Sequence, residues 1–112
     1  MTKKGTHSYI EDPRNESILI YVDGKIVPRQ EAKISVFDSG FLLGDGVWEG
    51  IRLHNNNLCF QEKHINRLFE GADALKINIG KSEDEMVSLV HETLSANGMK
   101  SDVHIRLIIS RG

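Results

Sequence analysis

The apolar positions of this chain change period along its length, and the change divides it into strands followed by helices. Ile18 to Val22 is a β-rich run, Asp23-Gly24 is a strong hairpin turn, and Lys25-Ile26-Val27 returns before Pro28 ends the pairing. Ile34 and Val36 alternate with smaller or polar groups and predict another strand, followed by a turn at Asp38-Ser39-Gly40. After Arg52, Leu53 and His54 extend a strand to the turn-forming Asn55-Asn56-Asn57, and Leu58-Cys59-Phe60 pairs back. The period then lengthens. Ile65, Leu68, Phe69, Ala72 and Leu75 recur at helical spacing and predict an amphipathic helix over about residues 61–76. A second helix opens on the capping box Ser82–Glu85, carries Met86, Leu89, Val90 and Leu94 on one face, and stops at Asn97-Gly98. A last strand spans Val103 to Ser110, with Val103, Ile105, Leu107 and Ile109 on one face and His104, Arg106, Ile108 and Ser110 on the other.

These elements predict an α+β fold, an antiparallel sheet covered on one face by two helices. Residues 1–17 are polar, contain Pro13 and show little periodicity, so they read as an N-terminal arm, loose or packed on a neighbour; the folded domain is 18–112. A chain of 112 residues suggests one domain.

The stretch 34–52 is the densest in potential chemistry. Gly40, Gly44, Gly46 and Gly50 punctuate it, and each permits positive φ or a close approach. Trp48, Glu49 and Arg52 are presented among apolar neighbours, where a charge needs a partner. From the residues alone, the reading favoured over a site is a turn between core strands with solvated charges. The glycines match neither the G-x-x-x-x-G-K-[ST] loop nor G-x-G-x-x-G before a helix. On the first helix, Arg67 lies roughly opposite the apolar stripe, and from position alone it reads as solvated. On the last strand, His104 and Arg106 share the face away from the aliphatic stripe, either as an exposed polar face or as a cationic wall for a carboxylate.

Composition narrows the class. The apolar share of 39% and charged share of 27% are those of a soluble globular protein, and a net charge of −2 with scattered basic residues argues against nucleic acid or membrane binding. No run approaches a membrane span, and the N-terminus lacks the apolar core of a secretory signal. The single Cys59 lies in an apolar run and reads as a small buried hydrophobe in a reducing, cytoplasmic compartment. No metal ligand set is assigned.

The phrase Val36-Phe37-Asp38-Ser39-Gly40-Phe41-Leu42-Leu43-Gly44-Asp45-Gly46-Val47-Trp48-Glu49-Gly50-Ile51-Arg52 resembles the signature near the start of the class IV aminotransferases, the fold type IV pyridoxal phosphate enzymes. The resemblance continues at His64-Ile65-Asn66-Arg67-Leu68 and from Ile105-Arg106-Leu107 through Ser110-Arg111-Gly112, and it covers about residues 19–112. It implies the small N-terminal domain of such an enzyme. The complete protein would use pyridoxal 5'-phosphate to move an amino group between an amino acid (branched-chain, D-amino acid or related amine) and a 2-oxo acid. An aminodeoxychorismate-lyase-like enzyme, or a truncated non-catalytic dimerisation module, are the alternatives.

The same resemblance assigns roles. Arg67 would bind the cofactor phosphate, in keeping with a permanently charged, bidentate guanidinium, and His64 would orient its helix. Trp48, where the family usually has Phe or Tyr, would line and reshape the substrate pocket. Arg106 would help receive the substrate carboxylate, with His104 beside it where branched-chain enzymes tend to have Tyr. Glu49 and Arg52 would support the pocket edge. The Schiff-base lysine of the family lies downstream in a larger second domain, and Lys63, Lys76, Lys81 and Lys100 do not match its position. The expectation is therefore that no catalytic residue lies in this chain, that these residues alone do not transaminate, and that the small domain contributes to a homodimer.

Overall fold

A computed structural model describes residues 11–112; residues 1–10 of the expected arm lie outside the described residues. Pro13–Asn15 form a single 3-10 turn capped by the Asp12 side chain. Arg14 anchors it by donating to the carbonyls of Ser101 and Asp102 at 2.9 and 2.7 Å.

Strands β1 (Leu19–Val22) and β2 (Lys25–Pro28) form the predicted hairpin, with Asp23 and Gly24 both at positive φ. The next expectation fails. Ile34 and Val36 are not in a strand, because no strand edge is offered to them and their side chains stay in solvent. Ser35 instead closes a turn, accepting from Phe37 N through its hydroxyl and from Asp38 N through its carbonyl. Nor is Asp38-Ser39-Gly40 only a turn. The Asp38 carboxylate accepts from the amides of Gly40 and Phe41 and starts a short helix, α1 (Ser39–Leu43), which Gly44 ends at φ 68°.

Strand β3 (Gly46–His54) is the spine. It pairs antiparallel with β4 (Asn57–Leu58) on one side and β5 (Val103–Ser110) on the other, in the order β4-β3-β5. The expected return strand is only two residues long because Phe60, at φ 54°, already turns the chain into a helix. The hairpin does not join this sheet; the expected single run of strands is two sheets. The hairpin docks instead on helix α3 (Glu83–Asn97), where the Asn97 amide bonds both the N–H and the C=O of Leu19, at 2.8 and 2.9 Å.

Helices α2 (Gln61–Ala74) and α3 cover one face of the three-stranded sheet. Ile51 and Leu53 rise into the layer formed by Ile65 and Leu68 of α2 and by Met86, Val90 and Leu94 of α3. Gly71 lets α2 lie close to β3, since a Cβ there would meet Val47 Cγ1 at 3.0 Å. Leu75, expected on the apolar stripe, is exposed because the helix has ended at Ala74. The capping box forms as predicted, with both Ser82–Glu85 hydrogen bonds made.

The segment around α1 carries Ile34, Val36, Phe37, Phe41, Leu42 and Leu43 on the surface, with Phe37 and Leu43 each 81% exposed. Large apolar groups exposed together along one short segment favour association. The chain is expected to self-associate at micromolar concentration, and a double change Phe41→Asp, Leu43→Asp to reduce that; a clean monomer by light scattering for the unaltered chain would contradict the expectation.

Candidate functional site

Alternation along β3 sorts the predicted site residues onto two faces. Val47, Glu49, Ile51 and Leu53 face the helices, while Trp48, Gly50, Arg52 and His54 face the open side. Glu49 and Arg52, expected to support one pocket edge together, therefore lie on opposite faces.

On the helix side, Glu49 is a carboxylate in a core position, 4% exposed. Burial of a charge there is tolerable only with partners, and α2 supplies both. Arg67 donates from Nε and, at 2.8 Å, from Nη2, and His64 Nδ1 lies 2.9 Å from Oε2. The hydrogen bonds from Arg67, assisted by His64, hold the Glu49 carboxyl down to about 2 against the opposing effect of burial. Arg67 itself remains 71% exposed at its side chain. Among the described residues the N–H groups on Nη1 and one on Nη2 have no partner, and the side chain is largely in solvent. A helical wheel places Arg67 away from the stripe but ignores the reach of its stem, which curls back to β3. The signal was present in the parity of β3, since Glu49 shares the face of Ile51 and Leu53.

On the open side, β5 pairs with β3 so that Trp48 faces Ile108, Gly50 faces Arg106 and Arg52 faces His104. The Arg106 guanidinium lies over the Trp48 ring, 4.3 Å from its centroid. The His104 ring rests above Gly50 so closely that a Cβ there would come within 2.7 Å of Cε1. Arg52 pairs with Asp102 at 3.6 Å, a contact between exposed groups that no sequence pattern announces. Trp48, His104 and Arg106 are thus brought together, and Arg67 is held apart from them with Glu49 and His64.

Two further contacts tie the ends of these elements. Ser110 Oγ donates to Asp38 at 2.8 Å and lowers its pKa. Arg111 pairs with Asp45 at 2.6 Å and donates to the Leu75 carbonyl at the end of α2. A groove of about 340 Å³ at the α2–α3 connection, lined by Phe69, Ile77, Ile79, Lys81 and Glu85 among others, contains none of the predicted site residues. Among the described residues no cluster of His, Cys, Asp or Glu has the arrangement of a metal site, and no helix is long and apolar enough to cross a membrane.

Residues 46–112, which include both clusters, match the family model for amino-transferase class IV. The chain belongs to the class IV aminotransferase family. A Methanocaldococcus jannaschii protein provisionally named a branched-chain-amino-acid aminotransferase is 45% identical over 83% of this chain and 32% of its own length. The crystal structure of the branched-chain aminotransferase from Thermoproteus uzoniensis with norvaline superposes with a TM-score of 0.75 at 32% identity, over 82% of this chain and 32% of that one. A T.th. branched-chain amino acid aminotransferase crystallised with pyridoxamine 5'-phosphate does so with a TM-score of 0.75 at 29% identity, over 83% and 32%. The chain thus spans about a third of the length of these relatives. The small α+β domain expected from the residues is the fold these family members share with it.

Proposed function

We propose that this chain is the small domain of a pyridoxal-phosphate-dependent transaminase, which moves an amino group between an amino acid (branched-chain or D-amino acid) and a 2-oxo acid. The observation that carries the reading is Arg67, a permanent cation anchored from behind by the buried Glu49 while its outer edge faces solvent. That arrangement fits a phosphate: one edge of the guanidinium is fixed, and the free edge offers parallel donors to a dianion. The names of the matched proteins favour transamination over the lyase and the dimerisation module.

Pyridoxal phosphate, when bound, supplies the electron sink that makes the substrate proton removable. The residues of this chain bind and orient. Arg67 would hold the phosphate. Glu49 and His64 would keep its guanidinium in place, since a buried carboxylate with three hydrogen bonds leaves little freedom. Arg106 would receive the substrate carboxylate on the open face, with Trp48 and His104 shaping the wall and Arg52 supporting its edge. The lysine that holds the cofactor would come from outside these residues. A homodimer in a reducing cytoplasm completes the reading; the exposed apolar surface around α1 supports the first and the lone, free Cys59 the second.

The test compares binding of pyridoxal 5'-phosphate and of phosphate-free pyridoxal by the protein carrying this chain and by its Arg67→Ala variant. Compared under conditions where the variant is folded, loss of a charge-assisted grip on phosphate is expected to weaken the phosphate form by roughly 10- to 100-fold more than it weakens pyridoxal. Equal losses for both, or no turnover of any amino acid with a 2-oxo acid by the unaltered protein, would overturn the reading.

A further inference from the structure

We propose that Trp48 is a positioning residue that aims Arg106 across the open sheet face, and that the missing side chain at Gly50 is what allows it. The inference rests on the reading of that face as the carboxylate-receiving wall and gives Trp48 a task beyond filling the pocket.

The register contains the argument. Arg106 stands directly opposite Gly50, so no side chain meets it across the ladder. Side chains that face one another across strands normally pack together, and diagonal neighbours lie within reach only of long or aromatic groups. Arg106 takes the diagonal, and its guanidinium settles on the Trp48 ring. His104, opposite Arg52, leans the same way and fills the space above Gly50 that a Cβ would claim. Both β5 side chains are thereby displaced by one diagonal step toward the start of β3.

The chemistry explains why tryptophan suits position 48. The indole face attracts a guanidinium more strongly than the ring of Phe or Tyr does. Stacking covers the plane of the guanidinium and leaves its N–H edge free, and that edge makes bidentate contact with a carboxylate. Among the described residues no carboxylate lies within ion-pair distance of Arg106, whereas Arg14, Arg52, Arg67 and Arg111 each have one. The stacked arginine is therefore held in direction and unneutralised.

Trp48 is the only tryptophan of the chain, so its emission reports on this place alone. The experiment uses the chain and its Trp48→Leu, Trp48→Phe and Arg106→Ala variants. The Arg106 side-chain resonances are assigned by NMR, and sodium 4-methylvalerate is titrated as the probe carboxylate. The unaltered chain is expected to show Arg106 protons moved upfield by the indole ring current, a shift lost in Trp48→Leu and smaller in Trp48→Phe. Affinity for 4-methylvalerate is expected to fall roughly two- to fivefold in Trp48→Leu, to fall less in Trp48→Phe, and to fall most in Arg106→Ala. Arg106 protons without an upfield shift in the unaltered chain would overturn the stack. Unchanged affinity in Trp48→Leu beside a loss in Arg106→Ala would overturn the positioning role and leave the carboxylate reading standing. Unchanged affinity in Arg106→Ala would overturn both. Trp48 is 60% exposed, so these variants keep the core that folds the chain.

Discussion

Arg67→Ala is expected to destabilise the folded chain more than Glu49→Ala does. The asymmetry follows from burial. Removing Arg67 strands a carboxylate that is 4% exposed, with only His64 left to answer it. Removing Glu49 releases an arginine whose side chain is already 71% exposed and can solvate at once. Urea denaturation at neutral pH measures both. A larger loss for Glu49→Ala than for Arg67→Ala would show that the pair is not anchored as described.

The same pair imposes a pH dependence with a definite sign. The Glu49 carboxyl is held at about 2 in the folded chain against an ordinary 4.5, chiefly by its hydrogen bonds from Arg67. A folded value below the unfolded one gives stabilisation that is fully present above about pH 4.5 and is lost as pH falls toward 2. Solvent around the exposed Arg67 screens the pair, so the stabilisation is smaller than an enclosed pair would give. Denaturation midpoints should therefore fall over this window in the unaltered chain and fall less in Glu49→Gln. Parallel pH profiles for the two proteins would dismiss the effect.

Ile51→Ala is expected to cost about 2–5 kcal/mol, a large part of the stability of a domain this size. Ile51 is fully buried at the middle of β3, packed under Ile65 and Leu68 of α2 and Met86 of α3. Its removal leaves a cavity against two helices that the β3–β5 ladder holds in place. Ile34→Ala, an equal change in volume, should alter stability by less than about 0.5 kcal/mol because Ile34 is 64% exposed. Thermal melts of the two variants side by side decide the matter, and similar losses would mean that the segment before α1 packs on the core.

That contrast shows where sequence reading reached its limit. Ile34 and Val36 alternate like strand residues, but a strand exists only where a partner edge receives its hydrogen bonds, and partnership is not local information. Features set by neighbouring residues were legible: the Asp23-Gly24 hairpin, the Ser82–Glu85 capping box, the stripes of α2 and α3, and the two faces of β5. Motif spacing was legible too, and it pointed to the family and to Arg67.

Contacts across long loops were not. That Glu49 grips Arg67, that Asn97 receives the hairpin, and that Arg106 leans past Gly50 onto Trp48 depend on how β3 meets α2, α3 and β5 in space. The order of residues dictates which faces are apolar, where the helices begin and stop, and which positions carry charge, because these rest on periodicity and capping chemistry over a few residues. Which charges are paired, which cation stays free and which apolar groups remain in solvent emerge when the elements pack, because register and layer contacts settle them over separations of tens of residues.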